Sequence, residues 1–230
     1  MATVLSTVPN YEAGLPAGAS VAYSGQLDDL VALERIGSRH SFRRDEEIYA
    51  DGDPTDSWFK VVSGVVRLCK FLADGRRYIA QFYFAGDCFG FDSTAERLFS
   101  AEVVTDTVVM RYPRRATERL VDEIPSLGRN LRDLTLRGLA AAQSHMLLLG
   151  RMTAPERVAT FLLEMAERRD AGRTLSFPMS RNDIADYLGL TIETVSRVLS
   201  SFKRAGAIAI PQPHRIEFRN RTALEAACEA

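Results

Sequence analysis

Residues 180–206, SRNDIADYLGLTIETVSRVLSSFKRAG, restrict the possible fold more than any other stretch of the chain. Ser180 and Asp183 stand at the spacing of a capping box. They start a helix near Arg181 that turns Ile184, Ala185 and Leu188 inward. Gly189 supplies the left-handed residue that ends it. Thr191 can cap a second helix, whose Val195, Val198, Leu199 and Phe202 fall at i, i+3, i+4 and i+7 and form its core face. Glu193, Ser196 and Arg197 then share the opposite face of its first turns. Two short capped helices meeting at a glycine turn predict a helix-turn-helix.

Each residue of that polar triplet suits the reading of base edges. Arginine donates two bonds to guanine O6 and N7, glutamate accepts from the cytosine amino group, and serine approaches thymine or either base. Glu193 and Arg197 could instead form an exposed i, i+4 salt bridge, worth about 0.3–0.5 kcal/mol. The caps, the turn, the core stripe and the hairpin that follows all favour DNA reading. Thr191, Ser180, Arg181 and Lys203 complete the expected DNA-facing set. Upstream, APERVATFLLEMAERR predicts an amphipathic helix with Val158, Phe161, Leu162 and Met165 on one stripe, and downstream AIAIPQPHRIEFRN predicts a hairpin turning through PQPH. Helix, helix, helix, hairpin is the order of a winged helix-turn-helix.

Residues 45–112 alternate short apolar runs with the turn signals DGDP, SG, ADGR and AGD, which predicts an all-β barrel or roll. From Ile124 to Arg151 the period changes: Leu127, Leu131, Leu134, Gly138, Ala141, His145 and Leu148 recur at alternating steps of four and three. Such a heptad seam predicts one long helix lying against its own copy, with Gly138 and Ala141 allowing close approach; the alternative is a single helix buried within a monomer. The expected architecture is α+β: a tail over 1–25, a β-roll over 26–120, a dimerisation helix over 121–151 and a winged helix-turn-helix over 152–230.

The net charge of −1 is unevenly distributed. Residues 1–150 hold 17 basic and 20 acidic side chains, residues 151–230 hold 12 and 10, and within 181–221 the balance is 7 to 4. A basic C-terminal surface on an acidic body is compatible with a DNA contact. No run approaches the ~20 apolar residues of a membrane span, and the N-terminus lacks the pattern of a secretory leader, so the expected location is the cytoplasm. Cys69, Cys88 and Cys228 show no metal-ligand spacing. Cys69 and Cys88 read as buried small hydrophobes, whereas Cys228, near the end, reads as exposed and open to oxidation. His40, His145 and His214 are too scattered for a metal site in a cupin-like barrel, and no nucleophile motif appears. An enzyme is therefore not expected.

From about residue 25 the chain resembles the CRP/FNR family of transcription regulators. DGRRYIAQFYFAGDCFG is similar to the family's roll signature through Asp74, Gly75, Arg76, Gly86, Asp87 and Gly90. IETVSR resembles the recognition helix of the fumarate-nitrate branch, with Glu193, Ser196 and Arg197 on its base-reading positions; the cyclic-AMP receptor branch carries arginine where Ile192 stands here. MSRNDIADYLGLTIETVSR is most similar to FixK-type regulators of micro-oxic respiration and nitrogen fixation. The resemblance implies a cyclic-nucleotide-binding-like jelly roll, a homodimer, a palindromic operator close to TTGAT-N4-ATCAA and RNA polymerase as a partner.

The resemblance also bears on ligands. Cyclic-nucleotide binders hold the ribose with a glutamate and the phosphate with an arginine, and the matching positions here are Phe91 and Phe99. A buried phosphate with no cation opposite it costs about 1–3 kcal/mol per unpaired group, and more for a charge. The oxygen-sensing branch holds an iron-sulfur cluster with four cysteines, and three cannot complete that site. FixK-type relatives act without a cofactor, so none is expected. The alternative is a regulator of the same fold gated by an apolar, haem or gaseous effector inside the roll.

Overall fold

The structure, a computed structural model, describes residues 31–168 and 172–228. The expected tail lies outside them. A short helix α1 (Val31–Glu34) leads into β1 (Ser38–Phe42), β2 (Glu47–Tyr49), β3 (Ser57–Ser63), β4 (Val65–Phe71), β5 (Arg77–Phe84), β6 (Cys88–Phe89), β7 (Ser100–Val103) and β8 (Thr107–Pro113). They pair antiparallel in two four-stranded sheets, ordered β1-β8-β3-β6 and β2-β7-β4-β5. Between them lies an apolar filling that includes Tyr49, Phe59, Val61, Val66, Phe89 and Val109, which is the predicted roll. Gly64 makes the β3–β4 turn at φ +93, where a Cβ would sit 2.3 Å from the Thr107 hydroxyl, so no larger residue fits. β1 begins before the predicted strand region. Its sequence, SRHSF, is exposed over four of five residues and carries no apolar alternation to reveal it.

Two helices follow the roll. α2 (Arg114–Glu123) turns Ala116, Thr117, Leu120 and Val121 inward and leaves its charged residues exposed, a helical period that starts within the stretch assigned to the roll. Ile124 leaves the helical region at φ −127, as the residue before a proline tends to, and Pro125 opens α3 (Pro125–Arg151). The first half of α3 lies on the flank of the roll, where Leu127 and Leu134 pack with Trp58, Cys88 and Tyr112.

After Met152 and Thr153 come α4 (Ala154–Arg168), β9 (Thr174–Ser176), α5 (Arg181–Leu188), α6 (Ile192–Arg204), β10 (Ile208–Gln212), β11 (Arg215–Phe218) and α7 (Arg221–Ala226). The three strands form a small sheet ordered β10-β11-β9 beside the helix pair. One apolar core runs from Val65, Cys69, Ile79 and Phe82 of the roll, through Leu148 of α3, into α4, α5 and α6. The roll and the helix-turn-helix are therefore packed together. No helix among the described residues is long and apolar enough to cross a membrane.

Candidate nucleic-acid interface

The local chemistry of residues 180–206 produces the expected helix pair. Asp183 N–H donates to the Ser180 hydroxyl at 3.1 Å, and Ser180 N–H donates back to the Asp183 carboxylate at 2.9 Å, closing the capping box. Gly189 ends α5 at φ 61 and ψ 38. Thr191 caps α6 by accepting from Thr194 N–H at 3.2 Å. Val195, Val198, Leu199 and Phe202 are buried against Ile184, Ala185 and Leu188, so the orientation of α6 is set by its apolar face.

The other face is left for a partner. Glu193 and Arg197 are exposed and Ser196 is half-buried beside them, with Thr191 exposed at the start of the same helix. Glu193 and Arg197 do not meet within ion-pair distance among the described residues. Glu193 accepts from its own backbone N–H and from Thr191, and these bonds, with Arg197 nearby, hold its carboxyl below the usual carboxylate range. It is thus an ionised acceptor across the neutral range. Lys203 stands exposed in the last turn with Arg204, where the helix dipole favours cations. The tip of the wing, at Pro213 and His214, joins β10 to β11, and Arg215 is exposed next to it.

Two expected contact residues are placed differently. The Ser180 hydroxyl is engaged twice with Asp183, as acceptor and as donor at 2.8 Å, so the cap occupies it. Arg181 is half-buried and lines a shallow apolar gap with Phe161, Ile184, Leu199 and Pro213, between α4, α6 and the wing.

The heptad residues sit mostly against the chain's own roll and core. Leu127, Leu134, His145 and Leu148 are buried inside the chain itself, while Leu131, Gly138 and Ala141 are half-buried on the same side of α3. The roll claims the first of them. Farther along, His145 stacks on Tyr187 and Leu148 enters the shared core. The apolar groups of α3 left exposed are Leu136, Leu139, Met146 and Leu147, on the opposite side. Cys228 is half-buried rather than exposed, with its thiol donating to the Leu224 carbonyl at 3.4 Å. Cys69 and Cys88 are buried as expected, and burial pushes both thiols up to about 12.

Phe91 is exposed and stacks on Trp58 at 5.0 Å, and the half-buried Phe99 lies beside Tyr78 with Lys70 over its ring at 5.9 Å. The sequence reading missed Arg97. Its side chain is 1% exposed, its guanidinium lies 4.1 Å from the Tyr49 ring centre, and it donates to Asp92 and to the Gly90 and Ser57 carbonyls. The only signal was an arginine two residues ahead of Phe99.

A β-roll, a long helix and a winged helix-turn-helix with an exposed Glu-x-x-Ser-Arg face define a DNA-binding transcription regulator, and the chain belongs to the CRP/FNR family. Residues 39–123 match the cyclic nucleotide-binding domain and residues 156–227 the Crp-like helix-turn-helix domain. Within the family the chain is similar to the nitrogen fixation regulation protein FixK of Rhizobium meliloti, at 42% identity over 82% of this chain and 86% of the relative. It is also similar to the transcriptional activator protein FnrL of Cereibacter sphaeroides, at 35% identity over 80% and 77% of the two chains. The solved structure of FixK2 from Bradyrhizobium japonicum superposes with a TM-score of 0.81 at 43% identity, covering 85% of this chain and 98% of that one. These relatives are transcription regulators, not enzymes.

Proposed function

We propose that the chain is a homodimeric transcription activator that reads an inverted repeat close to TTGAT-N4-ATCAA and controls genes of micro-oxic respiration, denitrification or nitrogen fixation. The observation that carries this reading is the exposed, uncommitted face of α6 with Glu193, Ser196 and Arg197. In a dimer, two such helices enter successive major grooves on one side of the duplex, roughly 34 Å apart. The similarity to FixK and FnrL supports the choice of operator and of target genes. RNA polymerase is the partner an activator requires, and the chromosome's compartment, the cytoplasm, is where the protein works.

Dimerisation is assigned to α3 through Leu136, Leu139, Met146 and Leu147. Four large apolar side chains, each more than half exposed along one helix, form the kind of stripe that a second copy buries. The activator works without cyclic nucleotide or another cofactor. Phenylalanines stand at both polar anchor positions, and the buried Arg97–Asp92 pair already fills space inside the roll. The test is selection of binding sites from random DNA by purified protein at one fixed salt concentration, with no effector added. Enrichment of the inverted repeat is the expected result, and enrichment of an unrelated or non-palindromic site overturns the reading.

A further inference from the structure

Asp183 uses its two carboxylate oxygens for different purposes. Oδ2 closes the capping box of α5 by accepting from Ser180. Oδ1 faces the β-roll, where Arg77 Nη2 donates to it at 2.6 Å and Arg67 Nη1 at 3.3 Å. Arg77 Nε also donates to Asp186 of α5 at 2.8 Å, and Arg67 is balanced by Glu102 at 2.7 Å. The side chains of Asp183, Arg67 and Arg77 are only 5%, 10% and 18% exposed. A charge buried to this degree is costly to separate from its partner, so the cluster fixes a geometry more than it adds net stability.

The cluster joins parts of the chain that also share an apolar core, to which it adds a charged contact of fixed direction. α5 and α6 share a core, and α4 connects that pair to α3 through Met152 and Thr153. Met152 is extended, at φ −86 and ψ 145. The shared apolar core holds the two parts together but is non-directional, so their angle is set where a contact of fixed geometry is added. The arginines of β4 and β5 grip α5 and supply that contact, and Arg168 of α4 pairing with Asp87 adds to it.

We propose that Arg67 and Arg77 are positioning residues for operator recognition: by holding Asp183 and Asp186 they fix the angle of α6 to α3, and with it the half-site spacing the dimer accepts. The proposal rests on α6 being the recognition helix of a dimer. The full-length protein is compared with Arg77→Gln, Asp186→Asn and the charge-keeping Arg77→Lys. Each is tested on operators whose spacer is of optimal length, one base pair shorter or one longer. In parallel, in a Cys228→Ser background, spin labels at Asp74→Cys on the β4–β5 turn and Lys203→Cys on α6 report the interdomain distance without DNA.

Arg77→Gln and Asp186→Asn are each expected to broaden the distance distribution and to lower the preference for the optimal spacer, by about tenfold for Arg77→Gln, with the G·C preference inside each half-site unchanged. Arg77→Lys, which still presents a cation to Asp183 and Asp186, keeps both properties. A wild-type distance distribution in Arg77→Gln, or an equal loss on all spacers, overturns the proposal. If Arg77→Gln does not fold, Asp186→Asn decides: a broadened distance with a weakened spacer preference upholds the clamp, and wild-type values overturn it. A wild-type protein that selects no palindrome instead defeats the reading of α6, and the distance measurement still decides whether the clamp sets its angle.

Discussion

His145 of α3 lies flat against Tyr187 of α5, with ring centroids 4.2 Å apart and planes 21° from parallel. The contact connects the long helix to the first helix of the DNA-binding pair. Tyr187 also meets Phe82 of β5 and Phe161 of α4, so one ring touches three other elements.

This stack makes stability depend on pH. Burial, reinforced by the Arg157 charge, lowers the His145 pKa to about 4, against the weaker opposing effect of a hydrogen bond to the Tyr187 backbone. Between the ordinary histidine value near 6.5 and about 4 the unfolded chain binds a proton that the folded chain refuses, so stability falls as pH falls through that window. Burial raises Glu164 to about 7, which acts with the opposite sign in an overlapping range. The measurement is therefore the difference in unfolding free energy between wild type and His145→Phe as a function of pH. Its expected loss on acidification is on the order of 3 kcal/mol at most, and a difference that does not change from pH 7 to 4 contradicts the assignment.

Leu139→Glu should yield a monomer at micromolar concentration in sedimentation, with its melting temperature little changed, because Leu139 is 54% exposed. Leu134→Glu should behave oppositely. That residue is 3% exposed among Trp58, Cys88 and Tyr112, and a carboxylate there costs about 3 kcal/mol or more of folding stability. If Leu134→Glu dissociates a well-folded chain while Leu139→Glu remains dimeric, the dimer face is the heptad seam after all.

Cyclic AMP and cyclic GMP should neither bind at micromolar concentration nor raise operator affinity. Phe91 is stacked on Trp58, Phe99 is packed beside Tyr78, and Arg97 spends its charge on Asp92. A phosphate entering this space meets no free cation there among the described residues, at a cost of about 1–3 kcal/mol or more. Calorimetry with both nucleotides provides the check, and a binding isotherm coupled to tighter operator binding contradicts it.

The parts of this molecule legible in the sequence are those fixed by local rules. Ser180 with Asp183, Gly189 and Thr191 act over a few residues, and the structure draws the helix pair where they indicate. The heptad of α3 was legible as an apolar stripe, but its partner was not, since periodicity shows that a face is covered without showing by what. Leu127 and Leu134 are covered by the roll and Leu148 by the DNA-binding half, both distant in sequence. Asp183 shows the same limit: its cap spans three residues, while its bond to Arg77 spans 106, and no local pattern predicts that pair.

Arg197→Ala tests the residue on which specificity most depends. Arg197 is exposed in the first turns of α6 and makes no hydrogen bond or ion pair among the described residues, so its removal leaves the fold intact. With its bidentate contact to guanine lost, the variant should bind about 1–3 kcal/mol more weakly per half-site and accept other base pairs at that position. Lys203→Ala, at the far end of the same helix, removes a charge suited to a phosphate, so it should weaken all sequences alike and reduce the salt dependence of binding. Both variants and the wild type are put through site selection and salt titration side by side. If Arg197→Ala keeps the wild-type motif with the same stringency, the guanine is read by another residue and the exposed face of α6 is not the specificity surface.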